Sequence, residues 1–123
     1  MKLKLTILLG TLNQLKVDHW QTKSYAEHKA LGKAYEALDG LFDKFIELVY
    51  GREGIPALTN NAGSVYRATF EPYNEGMLKR YATLMKEVME HLYDVAGAAN
   101  DLKNISDEIE GEFHHLLYRL QQK

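Results

Sequence analysis

No cysteine occurs anywhere in the sequence. That absence removes disulfides, thiolate zinc sites and cysteine nucleophiles together. No apolar stretch approaches the roughly 20 residues needed to span a bilayer. Charge of one sign is not in excess either: 15 Lys and Arg stand against 17 Asp and Glu, a formal net charge of −2. No overall basic field therefore draws the chain to nucleic acid or to an anionic membrane. Proline is confined to Pro56 and Pro72, and the 9 glycines do not gather into a linker. Internal repeats and low-complexity segments are missing. So are G-x-x-x-x-G-K-[ST], G-x-G-x-x-G, G-x-S-x-G and H-E-x-x-H, which leaves P-loop phosphoryl transfer, Rossmann redox chemistry and serine-hydrolase chemistry without support.

What is present reads as helix. At 123 residues and 46% hydrophobic composition, the chain suits one domain with one core. Met1 to Lys4 followed by Leu5 to Gly10 faintly imitates a signal peptide. The apolar part is short, however, and no small-x-small cleavage site follows. Helical spacing continues to Trp20, so the expectation is the first helix of a cytoplasmic protein, over residues 2–21. Its apolar face is Leu5, Leu8, Leu12, Leu15 and His19. Ser24-Tyr25-Ala26-Glu27 has the form of a capping box, in which the Ser24 hydroxyl accepts from the Glu27 N–H and the Glu27 side chain reaches back. It opens a second helix over residues 25–50, about 39 Å long, with Leu31, Tyr35, Leu38, Phe42, Phe45 and Val49 inward and Gly51 as its stop.

Both prolines fall in residues 51–73, a long connection in which a short helix around 64–70 has room to form. A third helix is expected over 74–96, with Leu78, Tyr81, Leu84, Met85, Val88, Leu92 and Val95 inward. A fourth is expected over 101–121, with Leu102, Ile105, Ile109, Phe113, Leu116 and Leu120 inward. Short, long and short connections fit an all-α bundle of four helices, up-down-down-up with a long crossover between the second and third, which is the ferritin-like arrangement.

The second helix carries a further stripe beside its apolar one: His28, Gly32, Glu36, Asp39, Gly40, Asp43 and Glu47. It holds one imidazole, four carboxylates and two glycines, with no basic residue on the same line. A glycine inside a helix costs roughly 1 kcal/mol relative to alanine, so Gly32 and Gly40 suggest the close approach of another backbone. Asp43 and Glu47, one turn apart, share a face and can share an ion. His28 lies about 22 Å from Asp43 along the same helix and cannot join them within one chain. It can do so across a two-fold axis if two such helices cross antiparallel near Glu36, with Gly32 and Gly40 flanking the crossing. Imidazole and carboxylate without thiolate suit Fe(II), Mn(II) or Zn(II).

The segment His19-Trp20-Gln21, then His28, Asp43 and Glu47, resembles the metal-site signature of the Dps-like mini-ferritins. The resemblance covers about residues 1–50. It implies a homo-oligomer, at least a two-fold dimer through the second helix. Between its subunits, His28, Asp43, Glu47 and His19 would ligate iron and oxidise Fe(II) with peroxide or O₂, for iron sequestration or protection against oxidative stress. No catalytic residue separate from these ligands is implied, and zinc or manganese would suit the same donors. Trp20, expected in the core or at an interface, would sit where that family has an aromatic that quenches oxidising equivalents. Glu36 and Asp39 are expected on the surface or near the two-fold. DNA binding is not carried over, because no Lys/Arg-rich tail is present and the net charge is negative.

A different class of function stays open beside this one: a non-enzymatic ferritin-like bundle that has lost ferroxidase chemistry and binds a protein or small-ligand partner. On that reading His28 is an ordinary boundary histidine, and Asp43 and Glu47 form a solvated face next to Lys44. Glu112-x-x-His115 has the form used in di-iron bundles, but both residues sit at or beyond the margin of the apolar face and the second helix offers no matching motif. His91 reads as a packed, hydrogen-bonded histidine.

Overall fold

A computed structural model describes residues 3–56 and 70–122. It contains four helices: α1 (Leu5–Gln21), α2 (Tyr25–Glu53), α3 (Met77–Ala96) and α4 (Asn100–Leu120). No strand occurs among the described residues, and no helix among them is long and apolar enough to cross a membrane. The short helix expected around 64–70 lies almost wholly outside the described residues.

The helices start and stop for local reasons. Lys4 offers α1 no side-chain cap. Instead its backbone N–H donates to Nε2 of His91, far along α3, at 3.0 Å. Ser24 caps α2 as its sequence suggests, its hydroxyl accepting from the Glu27 N–H at 3.2 Å. The reciprocal half of the box does not form. The Glu27 carboxylate accepts from the Thr22 hydroxyl and from the Tyr73 phenol, each at 2.8 Å, and so ties the α1–α2 turn to the segment before α3. Gly51 does not end α2. The helix continues to Glu53 and stops at Gly54, whose φ of 86° suits a residue without a Cβ. The start expected near residue 74 is delayed to Met77, because Asn74 Oδ1 accepts the Gly76 N–H at 2.7 Å and makes a turn there. Gly97, at φ 54°, closes α3, and α4 follows almost at once.

Packing joins α2 to both α1 and α4, and α3 to α4, while α1 and α3 touch only lightly. Contacts at the helix ends give the directions. His19 near the end of α1 meets His28 near the start of α2, so α1 and α2 are antiparallel. Asp18 late in α1 meets Arg80 early in α3, so α1 and α3 are antiparallel. Arg52 at the end of α2 meets Asp101 at the start of α4 in an ion pair that holds the Asp101 carboxyl below its ordinary range. Tyr93 late in α3 donates to Asp107 early in α4 at 2.6 Å. Among the described residues this is a four-helix bundle in which every neighbouring pair runs antiparallel.

The core is continuous along the bundle axis. Phe42 and Phe45 of α2, Tyr81 of α3 and Phe113 of α4 are its largest fully buried side chains, with Leu8 and Leu15 from α1. Burial of an aromatic or aliphatic side chain of this size contributes about 1.5–3 kcal/mol. One expectation fails here and another is narrowed. Leu78 is 44% exposed rather than inward. The inward line of α3 starts from Met77 and Tyr81, and Leu78 lies one helical step, about 100°, off it. Trp20 is 69% exposed, because it falls about 140° round α1 from Leu15; of its two expected places this removes the core and leaves an interface.

The cap on α1 makes stability depend on pH. His91 can accept the Lys4 N–H only while Nε2 carries a lone pair. Burial holds its pKa below the ordinary 6.5, helped by the charge of Lys4 and opposed by Asp94. A base with a depressed native pKa stabilises the fold fully above its unfolded pKa and loses that contribution as pH falls towards the lower native value. The melting temperature is therefore expected to drop on acidification from about pH 7 to about pH 5. His91→Gln, whose amide oxygen accepts at either pH, should flatten that slope, and an unchanged slope would assign the pH dependence elsewhere.

Candidate metal centre

Where α1 hands over to α2, the two imidazoles of His19 and His28 stack face to face, with centroids 3.8 Å apart and planes 16° from parallel. Each ring is tied to the other residue's backbone. His19 Nδ1–H donates to the carbonyl oxygen of His28 at 2.7 Å, and His28 Nδ1–H donates to that of His19 at 2.8 Å. A carbonyl only accepts, so both Nδ1 atoms must carry hydrogen. Each neutral ring therefore has its remaining lone pair on Nε2. This is the arrangement by which metal-ligating histidines have their tautomer and ring orientation fixed through the other nitrogen.

Gly32 makes room for this pair. A Cβ at that position would come within 2.9 Å of His19 Cε1. The missing side chain thus has a reason inside the chain: it admits an imidazole. Gly40 is exposed and has nothing within 4 Å of where its Cβ would stand. His19 and His28 line a shallow hollow of about 290 Å³ together with Tyr25, Lys29, Lys33 and Glu36. The Tyr25 ring extends the stack, 6.5 Å from the His28 centroid.

Asp43 and Glu47 lie on the same helix, exposed and one turn apart. Their carboxylates are close enough to interact. The hydrogen bond with Asp43, then its charge, then desolvation push the Glu47 carboxyl above its ordinary range. Like charges held this near favour a shared proton or a shared cation. Among the described residues neither is in a salt bridge. Within one chain the imidazole pair and the carboxylate pair stay apart, about 22 Å along a continuous helix. Among the described residues no cluster of three or more His, Asp or Glu is placed to hold a metal.

The remaining candidates fall outside any intrachain site. Glu36 and Asp39 are exposed on α2. Trp20 stands on the surface with the Lys16 ammonium 5.7 Å from its ring, and the same ammonium lies 4.3 Å from the ring of Tyr35. On α4, His115 is 64% exposed and pairs with Glu112 at 3.9 Å on the outside of the bundle, so that motif does not enter the core as a di-iron centre requires.

One cluster was missed from the sequence. Asp18, fully buried, accepts from Arg80 at 2.7 Å, from the Tyr81 phenol at 2.6 Å and from the Gln14 amide at 3.2 Å. Burial, then the bond to Asp18 and its charge, push the Tyr81 phenol well above its ordinary pKa. Gln14 also pairs with Glu71 both ways, donating to its carbonyl at 2.9 Å and accepting its N–H at 2.8 Å. Arg80 reaches the carbonyl of Pro72 at 2.9 Å. These contacts fix the end of α1 and the segment entering α3, and so the hairpin that sets the two imidazoles.

Fold and surface together define a four-helix bundle protein with a half-buried histidine pair and an exposed carboxylate pair. By sequence, the chain belongs to a family of unknown function, DUF5856, whose model matches residues 19–120 and so takes in His19, His28, Asp43 and Glu47. No curated protein matches the chain. No solved structure matches it.

Proposed function

We propose that this is a ferritin-like, Dps-like protein that binds iron between subunits and oxidises Fe(II). The observation that carries the reading is the reciprocal Nδ1–H bonding of His19 and His28, which leaves two Nε2 atoms on one surface as preset nitrogen donors. The up-down-down-up order and the crossover belong to the same proposal. With α1 antiparallel to both α2 and α3, the second and third helices run parallel to each other, as in ferritin-like folds.

The site would be completed by a second copy. If two α2 helices cross antiparallel near Glu36, the imidazole pair of one chain would face Asp43 and Glu47 of the other, twice over by symmetry. Two nitrogens and two carboxylates suit Fe(II), with Mn(II) and Zn(II) as competitors. Iron is the substrate here. Each of two Fe(II) ions gives one electron to peroxide, the O–O bond breaks, and two protons are taken up to leave two waters and two Fe(III). His19 and His28 would bind the ion and hold the ring geometry, and Asp43 and Glu47 would bind it and offset its charge. The outcome for the cell would be iron sequestration or peroxide protection.

Anaerobic Fe(II) should raise the melting temperature of the wild type. At an excess of about 100 times Kd the stabilisation is about 2.7 kcal/mol. Asp43→Ala/Glu47→Ala should remove that shift and slow Fe(II) oxidation to the uncatalysed rate. Equal oxidation rates in wild type and double variant would end the ferroxidase reading. An absent shift with every one of Fe(II), Mn(II) and Zn(II) would leave a bundle without this chemistry.

A further inference from the structure

The solvent edge of α2 carries a second feature that the metal reading does not use. A hollow of about 240 Å³ opens between the first turns of α2 and the last turn of α4. It is lined by Ala26, Lys29, Ala30, Lys33, Arg119 and Gln122. Half of this lining is cationic in a chain whose net charge is −2. None of the three cations has a carboxylate within 4.0 Å among the described residues. The Lys29 ammonium lies 5.5 Å from the centroid of the Tyr25 ring. The two alanines add little bulk to the wall. Ala26 also stands in the first turn of α2, where backbone N–H groups have no intrahelical acceptor. Ser24 takes the N–H groups of Glu27 and His28 and leaves those of Tyr25 and Ala26 without a partner among the described residues.

We propose that this hollow binds a phosphate group, either as inorganic phosphate or as the phosphate of a small monoester. A dianion offsets most of the charge of three cations, whereas a single carboxylate offsets one. Arg119 presents a planar fork that fits two phosphate oxygens, and Lys29 and Lys33 act as point charges. A polyanion fits less well. The basic patch stops within a turn or two, at Glu36 on α2 and at Glu112 on α4, whereas duplex binding needs a basic stripe that follows the backbone. The site needs no partner subunit and stands whether or not the histidine pair takes metal.

The test is a calorimetric titration of the full chain with inorganic phosphate and, separately, with glycerol phosphate, each against sodium chloride of matched ionic strength. Saturable binding near one per chain is expected, with at least about a tenfold loss of affinity in Lys33→Ala/Arg119→Ala, since each charge-assisted hydrogen bond is worth at least that factor. Arg119→Lys, which keeps the charge and loses the fork, should fall between. The tighter of the two ligands identifies the source of the phosphate. Both substituted side chains lie at the surface, and an unchanged circular dichroism spectrum would confirm that the variant folds. Binding that matched the chloride control, or affinity unchanged in the double variant, would overturn the proposal. So would a short DNA duplex that bound more tightly than either small ligand and lost that binding in the same variant.

Discussion

Asp18→Ala is expected to cost the bundle about 3–5 kcal/mol, the range found when one partner of a buried ion pair is removed and the other is left uncompensated. Asp18 is 0% exposed and accepts from three side chains at once. Its loss would leave the Arg80 guanidinium, only 11% exposed, without its counter-charge, and the Tyr81 phenol without an acceptor. For a domain of this length the melting temperature should fall by roughly 10–20 °C. Tyr81→Phe removes one charge-assisted hydrogen bond and keeps the ring that fills the core, so its cost should be smaller, about 1.5–3 kcal/mol. Chemical denaturation of both variants gives the order directly. If Asp18→Ala stayed within about 1 kcal/mol of wild type, the network would be a passenger and hydrophobic burial alone would hold α1 against α3. The light contact between those two helices argues against that: polar bonds at Asp18, Gln14 and the α1 N-terminus do much of the joining.

How far this architecture could be read from the sequence depended on how local each signal is. Helical periodicity placed all four helices, and on the fourth Leu102, Ile105, Ile109, Phe113 and Leu116 are buried as expected, while Leu120 is half-buried and Ser106 is buried without having been foreseen. Ser24 was legible because its cap is made three residues away. Gly51 against Gly54 was not, since either glycine can follow a helix and only φ separates them. The Asp18 network joins residues 62 and 63 positions apart, and no pattern in one sequence links such partners. A signal did exist. Asp18 continues the line of Leu8, Leu12 and Leu15, and a carboxylate at a core position demands a partner.

The histidine pair was half legible. Position and residue type singled out His19 and His28, and the wheel marked Gly32 as a place of close approach. What came close within the chain, the His19 ring, depended on how a three-residue turn folds two helices together. The two imidazoles brace each other through their backbones, so truncating either one frees the other ring to turn. His28→Ala should therefore disturb the orientation of His19 as well, and the two single variants should lose metal affinity by similar factors.

Two inactive variants should recover activity when mixed, and by a computable amount. In the proposed two-fold dimer each site takes its imidazoles from one chain and its carboxylates from the other. A His19→Ala/His28→Ala chain has no working site with its own kind, and neither has an Asp43→Ala/Glu47→Ala chain. When the two are unfolded together and refolded at equal concentration, about half of the dimers should be mixed if pairing is random. In a mixed dimer one site combines both defects, and the other combines intact histidines with intact carboxylates. About one quarter of the wild-type Fe(II) oxidation rate per chain should return, from two parents that each have none. A site built within one chain predicts no recovery at all, because every chain in the mixture is broken. On a continuous helix of 29 residues the two pairs cannot meet within one chain, so the proposed site depends on a second copy. Recovery would thus establish the antiparallel meeting of two α2 helices and the identity of the ligands in one measurement. Failure of the mixture, with each parent folded and dimeric, would remove the shared site.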